Sequence, residues 1–247
     1  MTLLLSMVHP NAIIMAADSR KTEYLTPLNF ETLEPIGDTR VVWSETTKLF
    51  AVRGIGCVSM WGDITRAEKR IGAYLISIAN RVTDPDDLAT RLLDFLKREI
   101  RADEGDDIGF HVGGYMPNGT PALYHVFYGR DIGPGVDPNN NPQKYEKYPH
   151  SQPGEALYNG KHQIADGIIR FLLAMQEEVG VVTWVMNYPP EIALKFADFV
   201  IRYASRIDAT VGGVSKVALI TPGNHVMLVT NSTDKPIPYV DIGPSAT

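Results

Sequence analysis

The sequence predicts an α+β fold of four layers, an αββα sandwich in which two antiparallel β-sheets pack face to face between helical layers. Three observations predict it. The elements run strands, two helices, two strands, two helices, two strands. The strand segments are apolar at nearly every position, which suits sheets covered on both sides. The helical segments carry apolar residues at a 3.6-residue period with charged residues between them, one buried stripe each.

Leu3 to Val8 and Ala12 to Ala17 are two short apolar runs separated by the turn signal His9-Pro10-Asn11, and they read as a hairpin that starts at the first residues. Residues 21 to 39 read as irregular, with Pro27, Pro35 and Gly37. Strands return at Val41 to Ser44, Leu49 to Val52 and Ile55 to Trp61. The period then changes: Ile64, Ala67, Ile71, Leu75 and Ile78 mark a helix over 63 to 82, and Leu88, Leu92, Phe95 and Leu96 mark a second after Asp84-Pro85. Ile108 to Tyr115 and Pro121 to Tyr128 form a hairpin across Pro117-Asn118-Gly119. Two further helices span Ile164 to Glu178 and Pro189 to Arg206, the latter opened by proline. A last hairpin joins Val214 to Thr221 with His225 to Thr230. The whole chain, 1–247, reads as one domain with an insertion around 23–47, a long Gly/Pro/Asn-rich loop over 130–156 and a loose C-terminal tail over 234–247.

Composition narrows the function. With 23 basic and 29 acidic residues the formal net charge is -6, so no basic excess exists to displace counterions from a nucleic acid. The single cysteine, Cys57, sits in an apolar run and reads as a buried structural thiol; no intramolecular disulfide can form. The apolar start lacks a basic flank, and no run approaches the roughly 18 apolar residues of a membrane span. The expectation is a cytoplasmic protein with no membrane partner. His9, His111, His125, His150, His162 and His225 lack metal-ligand spacing, and no phosphate-cradling glycine loop occurs, so neither metal nor cofactor is expected.

Chemistry concentrates in three segments. Ala17-Asp18-Ser19-Arg20-Lys21-Thr22 puts charges at the end of an apolar strand, and the predicted hairpin brings Asp18 and Arg20 back beside Thr2. Lys48 precedes a strand, with Gly62 fourteen residues later at the start of a helix. Asp208-Ala209-Thr210-Val211-Gly212-Gly213 precedes the last hairpin.

Together these resemble the proteasome β-subunit family of N-terminal nucleophile hydrolases, in its bacterial proteasome-related, HslV-like form. The resemblance spans about residues 2 to 230. It implies that Thr2, once Met1 is removed, is the nucleophile, with its own α-amine as base. It implies Asp18 as the acidic partner of Lys48, the Gly62 N–H as oxyanion donor, and Asp208 as an orienting group for the amine. It further implies Thr22 as a backbone substrate contact, Arg20 as a structural residue, and Lys21, Thr46, Met60 and Ile64 around the primary specificity pocket. Two positions depart from the family: Val211 stands where it has serine, and the serine expected before the third helix has no counterpart, Gly160, Lys161 and His162 being nearest.

The chemistry fits those residue types. A threonine hydroxyl is a poor nucleophile without an adjacent base, and an α-amine titrates near 7.7 to 8.0 when unperturbed. A neighbouring lysine cation favours the neutral amine, and a backbone N–H at the oxyanion is worth a few kcal/mol. The expected function is therefore threonine-type hydrolysis of peptide or unfolded-protein amide bonds through an acyl-enzyme. By the resemblance it occurs in a self-compartmentalising homo-oligomeric ring, with an ATPase as a possible partner. Two alternatives stand beside it: a catalytically impaired structural subunit, which the two departures favour, and an acylase of small amides.

Overall fold

The structure is a computed structural model, and it describes residues 2–25, 40–62, 64–99, 107–129, 144–160, 162–179 and 184–231. The fold is mixed α+β, with twelve strands and four α-helices among the described residues. One five-stranded antiparallel sheet has the order β10-β1-β2-β11-β12, built from β1 (Leu3–His9), β2 (Ala12–Ala17), β10 (Ala156–Gly160), β11 (Ser215–Thr221) and β12 (His225–Asn231). A second has the order β5-β6-β7-β8-β9, built from β5 (Leu49–Val52), β6 (Gly56–Gly62), β7 (Ile108–Tyr115), β8 (Pro121–Gly129) and β9 (Lys144–His150).

β1 and β2 are buried at every position, and alternation sends their side chains into two different layers. Leu4, Ile13, Met15 and Ala17 meet Leu49, Cys57, Trp61 and Phe127 of the second sheet. Leu3, Leu5, Ile14 and Ala16 instead pack under α3 (His162–Val179) and α4 (Pro190–Ile207). The opposite face of the second sheet, with Val58, Met60, Phe110 and Val126, is covered by α1 (Ile64–Ile78) and α2 (Pro85–Glu99). Each fully buried leucine or isoleucine here is worth about 1.5 to 3 kcal/mol. Cys57 lies wholly inside, and burial pushes its thiol pKa up.

The structure corrects the expectation of two sheets: among the described residues there are three. β3 (Arg20–Leu25) and β4 (Arg40–Glu45) pair with each other alone as a two-stranded sheet, with Lys21 opposite Ser44 and Thr22 opposite Trp43. Pro27, Pro35 and Gly37 predict an irregular segment over 21 to 39, yet residues 21 to 25 continue as β3, although Arg20-Lys21-Thr22-Glu23 lacks an apolar face. A two-stranded ribbon is defined by its backbone hydrogen bonds and needs none. Likewise β9 and the first residue of β10, Ala156, fall inside 130–156, where a loop is expected. β9 is the edge strand Lys-Tyr-Glu-Lys-Tyr-Pro-His, whose charges and Pro149 are tolerated where one side of the ladder is unpaired. Residues 26–39 and 130–143 of the expected insertion and loop, and the tail from 232, lie outside the described residues. No described helix is long and apolar enough to cross a membrane.

The inter-sheet layer is not wholly apolar. His111 (β7) and His125 (β8) are directly paired, and their rings meet edge to face at 5.3 Å. Burial drives the His111 pKa down to about 4, against a smaller opposing hydrogen bond from Asn159, and holds that of His125 well below its usual value. Between pH 6.5 and about 4 the unfolded chain therefore binds a proton at His111 that the folded chain does not. Stability falls as pH falls, by about 1.4 kcal/mol per unit, or about 3 kcal/mol for His111 over that window. Urea unfolding across pH 4 to 7 should show this slope, and His125→Phe, which keeps an aromatic ring beside Phe127, should remove only the part that His125 adds and leave the His111 part.

Candidate active site

β2 ends at Ala17, and the Asp18 N–H donates to Leu3 O, which turns the Asp18 side chain back across the start of β1. One carboxylate oxygen, Oδ1, accepts the Leu3 N–H at 3.0 Å and the Lys48 ammonium at 2.9 Å. The other, Oδ2, accepts the Gly212 N–H at 3.2 Å. Lys48 also donates to Arg20 O. Asp18 and Lys48 are both at 0% exposure. Burial pushes the Asp18 carboxyl pKa up; the Lys48 charge, its hydrogen bond and the two backbone N–H donors oppose that. A charged pair this deep persists only because its polar atoms are hydrogen-bonded.

The Lys48 cation and the peptide N–H that follows Thr2 therefore share one oxygen atom. Thr2 itself is 2% exposed, and its Oγ1 has no hydrogen-bond partner among the described residues. By strand alternation its side chain lies on the inter-sheet side, with Leu4. Its carbonyl packs on Gly160, which opposes Leu3 in the β1–β10 ladder. A Cβ on Gly160 would lie 1.7 Å from Thr2 O, and its φ of +84° is itself in the left-handed region.

The 208–213 turn closes the site from behind. Arg20 donates from Nη1 to Ala209 O at 2.7 Å and to Val211 O at 3.3 Å. Gly212 O accepts from the N–H groups of Ser19 and Arg20, and Ser19 Oγ accepts the Val214 N–H at 2.7 Å. Asp208 ends α4, and its Oδ1 accepts from the backbone N–H of Thr210 at 2.8 Å and from the Thr210 hydroxyl. Val211 is fully buried in the core under α3 and α4, so the side chain that replaces the expected serine points away from polar groups.

The remaining expected residues are dispersed. Gly62 ends β6 opposite Ile108 with φ +93°, and a Cβ there would strike Asp107 O at 2.1 Å. Met60 is fully buried in the cluster beneath α1 and α2, and its N–H donates to Lys48 O, tying the lysine's backbone to β6. Thr46 is nearly buried and lines a polar cavity of about 360 Å³ with Ser19, Glu45, Thr47 and Lys216. Lys21 and Thr22 lie on β3, and Ile64 opens α1.

Sequence reasoning missed Gly212 as a ligand of Asp18, Gly160 as the seat of Thr2, and a buried chain in which Ser6, His111 and Asn159 are hydrogen-bonded in series. The Gly212-Gly213 pair was a visible signal for the first; the others join positions 48 to 158 residues apart. Among the described residues no group of three or more His, Cys, Asp or Glu could hold a metal ion.

The fold is one shared with proteasome-like proteins. The chain is similar to Anbu (ancestral beta-subunit) from Yersinia bercovieri, with a TM-score of 0.59 and 15% identity over 93% of this chain and 87% of that one. It is similar to an Anbu (Gly-1) mutant from Hyphomicrobium sp. strain MC1, with a TM-score of 0.60 and 14% identity over 95% and 88%. It is also similar to the Anbu chain of a helical assembly from Pseudomonas aeruginosa, at 0.58 and 15% over 94% and 88%. Identity this low shows the fold alone. No family model and no curated protein matches the chain. These neighbours correct the family expectation: the likeness is to Anbu, proteasome-like but distinct, rather than to the proteasome β-subunits or HslV-like chains that the three motifs resemble.

Proposed function

We propose that the chain is an N-terminal threonine hydrolase that cleaves amide bonds through an acyl-enzyme on Thr2, freed by removal of Met1. The observation that carries this reading is the single Asp18 oxygen bonded both to Lys48 and to the Leu3 N–H. Through that oxygen the buried cation is linked to the peptide N–H that follows Thr2, which supports a role for Lys48 at that residue.

The neutral α-amine of Thr2 takes the proton of Oγ1 as Oγ1 bonds to the substrate carbonyl carbon. The carbonyl oxygen becomes the oxyanion, held by the Gly62 N–H. The ammonium then returns its proton to the leaving amine as the C–N bond breaks, and water repeats the sequence to release the acid. Lys48 keeps the amine in its neutral form, and Asp18 holds Lys48 in place. Lys21, Thr22, Thr46, Met60 and Ile64 are assigned to substrate binding, and Arg20 to holding the 208–213 turn that Asp208 begins.

The substrates in this reading are peptides or unfolded chains, and the working form is a homo-oligomer that encloses its sites. The helical assembly of one Anbu neighbour supports self-association. Val211, fully buried among apolar side chains, favours a second reading, a structural subunit without turnover. Hydrolysis of fluorogenic peptides separates the two. Turnover is expected in the chain beginning at Thr2, reduced in Thr2→Ser and lost by at least about 10³-fold in Thr2→Ala. Equal rates in wild type and Thr2→Ala would remove the enzyme reading.

A further inference from the structure

We propose that the polar cavity lined by Ser19, Glu45, Thr46, Thr47 and Lys216 is a binding site for an oxyanion, a carboxylate or phosphate group, held by the Lys216 ammonium and the hydroxyls of Ser19 and Thr47. The inference does not depend on the reading of Thr2 as nucleophile.

The cavity, of about 360 Å³, lies where three segments of chain converge. Backbone bonds fix all three. Lys216 on β11 is directly opposite Ala17 of β2. Ser19 O accepts the Thr46 N–H at 2.8 Å, and the Val214 N–H donates to Ser19 Oγ at 2.7 Å. Ser19 is 1% exposed and Thr46 7%. The walls are therefore ordered before any ligand arrives, which lowers the entropic cost of binding.

Donors outnumber acceptors there. Lys216 leaves β11 on the same face as Ala218 and Ile220, toward the layer between the sheets. Its hydrogen bond among the described residues runs from Nζ to Thr47 Oγ1 at 3.4 Å, long for an ammonium donor, and an ammonium has three N–H groups. Burial lowers the Lys216 pKa, and the charge that opposes this is Glu45. Glu45 is exposed, so it compensates the half-buried cation only in part. Thr47 Oγ1 accepts from Lys216 and Ser19 Oγ accepts from Val214, which leaves each hydroxyl its own proton to donate. An oxyanion supplies the missing charge and accepts from all three groups at once, and hydrogen bonds of that kind are the strong ones.

The full chain titrated with inorganic phosphate, at an ionic strength held constant with sodium chloride, tests the site through its melting temperature. A ligand that binds only the folded chain raises that temperature in a saturable way. Saturation is expected in the wild type. In Lys216→Met the half-saturation concentration should rise by at least about 10-fold. Glu45→Gln removes a competing carboxylate and should lower it by about 3-fold. The same titration with N-acetyl-glutamate amide and with its glutamine analogue distinguishes the sources. Saturation by the glutamate compound alone assigns the site to an acidic peptide side chain, and saturation by phosphate alone assigns it to a free inorganic anion; each supports an oxyanion site. A rise that never saturates, or one that is the same in wild type and Lys216→Met, is a general salt effect and overturns the proposal. So does tighter binding of the glutamine compound than of the glutamate one.

Discussion

Lys48→Met should destabilise the folded chain by about 3 to 5 kcal/mol and abolish turnover. The methionine fills a similar volume, so the loss is electrostatic. It leaves the Asp18 carboxylate at 0% exposure with two backbone N–H donors and no cation. The pH dependence follows from the same geometry. Burial already raises the Asp18 pKa above 3.8, and Lys48 is the largest force opposing it. Without Lys48 the folded-state pKa rises further, so the folded chain holds a proton that the unfolded chain has released. Stability is then lost as pH rises from 3.8 through the raised value, and the variant is weaker at pH 8 than at pH 5. Urea unfolding at those two values checks the sign. Adding Asp18→Asn removes the stranded charge and should recover more than half of the loss, because breaking one side of a buried pair costs more than removing both.

Gly160→Ala should be almost as damaging from a position that carries no chemistry. The new Cβ would sit 1.7 Å from Thr2 O, a backbone atom that cannot rotate away, and the residue would be forced to keep φ at +84°. The strands must part at the Leu3–Gly160 pair. A backbone clash added to a strained left-handed residue costs about 4 kcal/mol. It also displaces Thr2 from Asp18 and Lys48. Thermal unfolding should report the first effect. Loss of Thr2 labelling in the fraction that remains folded should report the second. A Gly160→Ala chain with wild-type stability and labelling would mean that the β1–β10 junction does not fix the nucleophile.

The legible parts of this molecule were those where local pattern and burial agree. β1, β2, β7, β8 and β11 are apolar runs closed by turn signals, and all four helices show a buried stripe, so their limits could be read within a few residues. β3, β9 and β10 were not read. β3 and β9 are largely polar and β10 is only five residues long, and each lies at a sheet edge or in a two-stranded ribbon. At the site, the hairpin limits where Asp18 falls, whereas its pairing with Lys48 came only from the family resemblance. Gly160, Gly212 and the Ser6–His111–Asn159 chain could be read from neither. Their roles depend on which strand lies beside β1 and on contacts between facing sheets, and neither is encoded within a local window. The family expectation failed for a related reason. It rested on three short segments, whereas the likeness to the Anbu structures extends over 93 to 95% of the chain.

Hydrolysis by Thr2 requires its hydroxyl and a free α-amine on the same residue. Intact mass spectrometry before and after treatment with an epoxyketone measures that directly. The prediction is a chain lacking Met1 that gains one adduct, mapped to Thr2 and absent in Thr2→Ala. A folded chain that begins at Thr2 and gains no adduct, or one that reacts equally well after Thr2→Ala, would contradict it.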